Sequence, residues 1–349
     1  MHVITTRNVH KVLPQALSEI FAYGEWRSNR NEAELGKTLV FPTPVCTVYE
    51  QPQERVMFWP ERDANPFLHL IESIWMLAGR NDVMFMRSMA EQFASYSDDG
   101  ATLHGAYGHR WRRHFGGDQI EVAIKRLQDD PDSRRCVIGM WDPAVDCAGE
   151  GKDLPCNTTI YLAVNNQGRL DMTVCCRSND IIWGAYGANA VHFSILQELI
   201  ALALGREMGR LYQISNNWHA YAKTVMPLRM ADDSWLNQYS PYDEFIPADR
   251  VSTFQLYHGG MGWSTFLRDC ELLIEDPAAN GFSFPFFTRI AKPMLLAYRT
   301  WQDKRHDIGW RALAAKEVLA QMPERVDWRV AAEQWIERRV RRKMEGKGA

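Results

Sequence analysis

Cys156, in Leu154-Pro155-Cys156-Asn157-Thr158-Thr159, stands where a loop passes into an apolar, β-branched run. A cysteine in such a place reads first as a small buried hydrophobe, because a thiol is inert unless something favours the thiolate. Its neighbours in sequence change that reading. Arg177-Ser178-Asn179-Asp180 closes the following apolar run, and Asp132-Ser133-Arg134-Arg135 opens the preceding one. Guanidinium forks beside a hydroxyl match the oxygens of a phosphate monoester, whereas surface arginines need no such clustering. A thiol beside a phosphate cradle points to covalent catalysis on a phosphorylated small molecule. A cysteine hydrolase pairing Cys156 with His192 or His219 would leave the arginines unexplained, and no local signature of such enzymes is present.

These groups need elements to hold them. Apolar residues at 67, 71, 74 and 78, with 68 and 75, predict a largely buried helix from Pro66 to Ala78, stopped by Gly79 and carrying Glu72 inside its apolar surface. A helix over 119–128, the turn Asp130-Pro131-Asp132-Ser133 and a strand over 135–141 follow. A Gly/Asp/Lys-rich connector at 142–154 is expected to be flexible. Strands over 158–165 and 170–176 meet at the turn Asn166-Gln167-Gly168, then a long buried helix over 192–205 leads to a strand over 211–216. After about Ser240 the texture changes: 241–288 is rich in Gly, Pro, Phe and Tyr, and 289–345 predicts two or three helices. The last ends in Arg338-Arg339-Val340-Arg341-Arg342-Lys343, cations that complement the helix dipole and are expected to stay in water.

The chain has 349 residues, 46% apolar, with 40 Lys+Arg against 43 Asp+Glu and a net charge of −3. That balance argues against a wholesale nucleic-acid or membrane binder, so nucleic acid is not the expected partner. The length suffices for a core without disulfides or metal. Seven cysteines without a C-x-x-C pair predict a reducing, cytoplasmic setting, or a host cytoplasm if the source is viral. Residues 1–13 lack an apolar signal core, and no run reaches the roughly 18 apolar residues of a membrane span, so neither export nor insertion is expected.

Taken in order, several motifs resemble the thymidylate synthase superfamily, including its viral deoxycytidylate hydroxymethylase branch. They are Glu72 in HLIESIWMLAG, Tyr107 and Trp111 in HGAYGHRWR, DPDSRR at 130–135, Trp141, LPCN at 154–157, RSND at 177–180, Gly184 and Asn189 in IIWGAYGANAVHF, and His219 with Tyr221 in NNWHAY. The resemblance implies an α+β fold: a thymidylate-synthase-like mixed sheet packed by helices over residues 1–240, with a partly helical C-terminal extension over 241–349. It also implies that Cys156 adds to C6 of a pyrimidine deoxynucleoside 5′-monophosphate, making C5 nucleophilic towards 5,10-methylenetetrahydrofolate, a co-substrate, with no metal. Arg177 and Ser178 match phosphate ligands of the same subunit. Arg134 and Arg135 match a pair lent across a homodimer interface, and Arg30, with Arg27 as rival, matches an N-terminal phosphate arginine. Asn189 matches the residue reading the base edge, and Asn157 stands beside the nucleophile on the base side. His219 and Tyr221 match the holders of the sugar 3′-hydroxyl. Glu72 and Asp180 match carboxylates serving proton transfer and the folate, Tyr107 a tyrosine near C5, and Phe93 and Gly184 folate-side positions.

Departures from the pattern bear on base and product. Asn157 replaces a histidine, one extra residue lies between Asp180 and Asn189, Phe93 falls where a folate-facing tryptophan is usual, and the apolar C-terminal tail that excludes water is missing. Hydride capture of the exocyclic methylene intermediate gives a methyl group and dihydrofolate; water gives a hydroxymethyl group and tetrahydrofolate. Weaker exclusion of water favours hydroxymethylation of dUMP or dCMP. Thymidylate-synthase-type methylation is the alternative, and a non-catalytic nucleotide-binding regulator a distant one. An amide at Asn189 can meet either base by flipping.

Overall fold

The computed structural model describes residues 1–229, 240–243, 250–256 and 262–346. The chain divides into two compact units, one from Met1–Arg55 and Gly79–Gln238, the other from Val56–Ala78 and the chain after Gln238. The chain passes between the units after Arg55, Ala78 and Gln238, and the helix Pro66–Leu77, which carries Glu72, clusters with the C-terminal segment. Parts of the expected extension, 244–249, 257–261 and 347–349, lie outside the described residues.

In the first unit the described strands are β1 (His2–Thr6), β2 (Glu25–Arg27), β3 (Thr38–Val40), β4 (Val45–Tyr49), β5 (Val137–Gly139), β6 (Asn157–Val164), β7 (Leu170–Cys176), β8 (Asn179–Asp180), β9 (Met208–Ser215) and β10 (Trp218–Tyr221). They form a mixed sheet in the order β1-β4-β9-β7-β6-β5 and a smaller one in the order β2-β3-β10-β8. Leu170, Met172, Val174 and Cys176 of β7 are buried while the residues between them are not. The helix Asn189–Ala203 packs on β7 and β9 and is buried from Asn189 through Ala201. Its polar residues are covered too, Gln197 donating to the carbonyls of Leu170 and Arg210 at 2.8 and 3.1 Å. The opposite face of the sheet is partly open: Val137 and Tyr161, paired across β5 and β6, are 49% and 48% exposed.

One irregularity decides what reaches the site. Along β6, Ile160 and Leu162 are buried and Tyr161 and Ala163 exposed, so strict alternation would turn Asn157 to the open face. A register shift between Asn157 and Thr159 inserts one residue. Asn157 therefore turns inward opposite Cys176, and it is fully buried.

The expected flexible connector is held in place. It contains a short helix, Pro143–Asp146, and the N–H of Lys152 donates to Asp98 at 3.1 Å. Asp153 accepts from the N–H of Gly105 at 2.9 Å. Beneath it lies a completely buried ion pair. Arg110 donates to both oxygens of Asp146 at 3.0 Å, to the carbonyl of Met140 at 3.3 Å and to that of His104 at 3.1 and 3.2 Å. All five guanidinium protons are thereby used. Burial pushes the Asp146 carboxyl up, but the Arg110 hydrogen bonds hold it below its ordinary value.

The second unit is helical where described. Helices Trp263–Glu275, Lys292–Gln302, Ile308–Leu319 and Asp327–Met344 join the helix Pro66–Leu77, whose Phe67 stacks on Tyr298 at 5.1 Å and meets Trp335 edge-on. The basic end departs from the expected solvated run. Arg338, Arg339 and Arg342 converge on Asp63 at 3.1, 2.9 and 2.7 Å, and Arg339 lies over Trp335. Burial raises the Asp63 carboxyl, yet the hydrogen bond and charge of Arg339, with Arg342 and Arg338, leave it below its ordinary value. Among the described residues, no helix is long and apolar enough to cross a membrane.

The Arg110–Asp146 pair generates a stability prediction. Asp146→Ala leaves a buried guanidinium uncompensated and should cost about 3–5 kcal/mol in denaturant unfolding, while Arg110→Met with Asp146→Leu should cost less than Asp146→Ala alone. Equal losses in the single and double variants would show that the pair carries no uncompensated charge.

Candidate active site

Cys156 ends the connector one residue before β6, half-buried, and its surroundings are built from main chain and arginine. The Tyr107 hydroxyl oxygen accepts from the N–H of Cys156 at 3.2 Å and of Asn157 at 3.3 Å. Tyr107 begins the helical turn that runs into Arg110, so the buried ion pair also sets where this phenol lies. Arg177 donates to the carbonyls of Pro155 and Leu154 at 2.8 and 3.1 Å and reaches Cys156 Sγ at 3.8 Å. Its own N–H binds the Cys156 carbonyl at 2.8 Å. One guanidinium thus holds the loop and faces the thiol.

The arginines were expected to favour the thiolate, but burial outweighs them. It pushes the Cys156 thiol above its ordinary value; Arg177 pulls it down, Asp153 pushes it up and Arg30 pulls it down. Burial likewise holds the Tyr107 phenol well above its ordinary range, with Cys156 adding to the rise. Arg30 is exposed and acts on both Cys156 and Tyr221, whereas its rival Arg27 pairs with Glu25 at 3.0 Å.

Three asparagines interlock. Asn157 Nδ2 donates to Asn189 Oδ1 at 3.2 Å, and Asn189 Nδ2 donates to Asn179 Oδ1 at 3.1 Å. Gly184 lies against this pair: a Cβ there would come within 2.5 Å of Asn179 Oδ1, so no side chain fits while the contact holds. The extra residue between Asp180 and Asn189 falls in the segment Ile181–Ala188, which is kinked at Tyr186 and Gly187, where the backbone leaves helical geometry. Asp180 caps that segment, accepting from the N–H of Ile182 at 2.8 Å and of Trp183 at 2.6 Å. Parallel pairing of β8 with β10 sets Asp180 beside His219. His219 in turn meets Tyr221 edge-on at 5.2 Å.

Arg134 and Arg135 are exposed ahead of β5, lining a cleft of about 700 Å³ with Lys125, Arg126 and Asp132 that does not include Cys156. Phe93 is buried edge-on to Tyr96 at 5.9 Å. Ser178 is half-buried, and Glu72 is half-buried on its helix in the second unit. Sequence reasoning assigned no role to Asp153, Cys176, Asn179 or Ser215. The signals that could have found them are local: Asn179 and Cys176 adjoin the arginine–serine pair, and Asp153 stands three residues before the thiol.

The thymidylate synthase family model matches residues 13–232. A deoxyuridylate hydroxymethyltransferase of Pseudomonas phage M6 is 43% identical over 354 residues, spanning 97% of this chain and 95% of that protein. Its namesake in Bacillus phage SP01 is 36% identical over 200 residues, 54% of this chain and 52% of that one. The crystal structure of thymidylate synthase from T4 phage superposes with a TM-score of 0.54 at 22% identity, covering 65% of this chain and 80% of that one, and so shares the fold.

The charges facing the thiol set the sign of a pH test. Alkylation of Cys156, followed by peptide mass mapping, should rise with pH as the thiolate forms. Arg177→Ala removes a group that lowers the thiol pKa and should move the profile to higher pH; Asp153→Asn removes one that raises it and should move the profile lower. Shifts in the opposite sense would remove both residues from control of the thiol.

Proposed function

The chain belongs to the thymidylate synthase family of one-carbon transferases, and from that premise we propose that it converts dUMP to the 5-hydroxymethyl nucleotide with 5,10-methylenetetrahydrofolate as co-substrate. The observation that carries the reading is the extent of likeness to the M6 phage enzyme. It spans 97% of this chain, well past residue 232 where the family model stops. The C-terminal region is thus held in common with a hydroxymethyltransferase.

In this reading Cys156 Sγ bonds to C6 of the pyrimidine, and C5 takes the one-carbon unit from the folate. The C5 proton leaves, and tetrahydrofolate departs with its bonding electrons to leave an exocyclic methylene. Water then adds its hydroxyl to that carbon as Sγ leaves C6 as a thiolate, which takes up the water's other proton. Because the thiol is held protonated by burial, its proton must be removed as the C6 bond forms. Tyr107 orients the nucleophile through its two main-chain hydrogen bonds and stands near C5. Arg177, Ser178 and Arg30 hold the phosphate, His219 and Tyr221 the sugar, and Asn157 and Asn189 the base. Asp180, Phe93 and Gly184 border the folate, and Glu72, carried over by its motif alone, serves proton transfer there.

A homodimer completes the site. The open sheet face around Val137 and Tyr161 supports a second copy docking there, and Arg134 and Arg135, exposed just ahead of Val137, are available to that copy's phosphate. The phage relatives support action in the cytoplasm of an infected cell.

Incubation with dUMP and the folate should give a nucleotide heavier by one hydroxymethyl group, without the absorbance rise of dihydrofolate; a methylated product with stoichiometric dihydrofolate would instead assign the methylation chemistry. Cys156→Ser should abolish turnover and leave nucleotide affinity within about tenfold, since arginines dominate ground-state binding. Mixing Arg135→Ala with Cys156→Ser subunits should restore part of the activity, because one site of the heterodimer then has both groups. Heterodimers that form without rescue would place Arg135 outside the partner's site.

A further inference from the structure

Asn189 belongs to a closed ring of hydrogen bonds. Cys176 Sγ meets Asn157 Oδ1 at 2.6 Å, Asn157 donates to Asn189 and Asn189 to Asn179, and Asn179 Nδ2 returns to Cys176 Sγ at 3.6 Å. The second proton of that amide goes to Ser215 Oγ at 2.9 Å. The four ring members are all buried. Each therefore donates to one neighbour and accepts from the other, and no amide can turn over alone without setting donor against donor and acceptor against acceptor.

The ring's direction has a physical origin. A thiol is a weak donor and its sulfur a diffuse, weak acceptor, so an amide oxygen suits its proton and an amide N–H its lone pairs. Asn157 turns its oxygen and Asn179 its amide nitrogen to Cys176 Sγ, which gives the thiol one acceptor and one donor. Reversal would force an amide N–H against sulfur at the short contact and stretch the thiol's own bond across the long one.

With these partners engaged, Asn189 keeps one N–H and one oxygen lone pair, a single donor–acceptor pair one hydrogen bond away from the residue following the nucleophile. Uracil presents a carbonyl and an N–H along its 3,4-edge; cytosine presents an amino group and a bare nitrogen there, the opposite order. Resting on the functional reading above, we infer that the ring through Cys176, Asn157 and Asn179 locks the amide of Asn189 in the polarity that accepts dUMP and refuses dCMP. Cys176 and Asn179 are positioning residues, and neither needs to touch the nucleotide. Accepting cytosine would require three amides and a thiol to reverse together.

The test compares kcat/KM for dUMP and dCMP, by nucleotide mass, in the full-length wild type, Cys176→Ala, the bulkier Cys176→Val and Cys176→Ser, with thermal unfolding of each. Opening the ring with Ala or Val should lower the dUMP:dCMP ratio by about tenfold or more, whereas serine, which both donates and accepts, should keep it within about threefold of wild type. An unchanged ratio in folded Ala or Val variants overturns the ring while the functional reading stands, as does a loss of dUMP turnover with no change in ratio. A ratio lost equally in the Ser variant overturns it in favour of simple packing. A wild type that transfers carbon to neither nucleotide overturns the functional reading and this inference with it.

Discussion

A guanidinium with no access to water determines how the site is put together. Arg110 uses every proton it has on Asp146, His104 and Met140, so two stretches of chain, 104–110 and 140–146, are fastened at one point. The pair adds little net stability, because desolvating two charges costs about as much as their attraction returns. Its effect is geometric. With Arg110 immobile, Tyr107 three residues earlier is immobile too, and the phenol oxygen is placed to receive the N–H groups of Cys156 and Asn157. The Cys156 loop is thus held by a tyrosine and by Arg177.

The same loop resolves a conflict between reactivity and protection. Burial keeps Cys156 in the less reactive thiol form, and Asp153 reinforces that, while Arg177 and Arg30 pull the other way. A phosphate bound by those arginines would weaken their pull on the thiol. For the proposed function, proton removal from Cys156 is therefore best coupled to attack on the substrate rather than completed beforehand.

The second unit follows a similar logic with different groups. Three arginines of the last helix close on Asp63, whose backbone takes a left-handed φ of 49°, and Trp335 packs among Phe67, Tyr298 and Trp301. A run of cations that would be a solvated helix end in isolation becomes an internal anchor once a carboxylate lies across from it.

Several elements were legible in the sequence because their signals are local. The helix from Pro66 follows from apolar spacing and a proline start; β6 and β7 follow from their apolar, β-branched runs and the glycine turn between them; and the motifs around Cys156, Arg177 and His219 identify the family. What remained hidden depends on partners far away in the chain. Alternation alone would send Asn157 to the open face of the sheet, and only the register shift against β7 turns it towards Cys176. Asp146 reads as one more acid in a polar connector until Arg110 is found beside it. The thiol's state could not be read from nearby arginines, because its largest influence is desolvation by the surrounding fold. Residue types and spacing determined which chemistry the chain can perform. The tertiary structure decided which face each group presents and how much water it keeps, because both follow from strand register and packing between segments that local sequence does not encode.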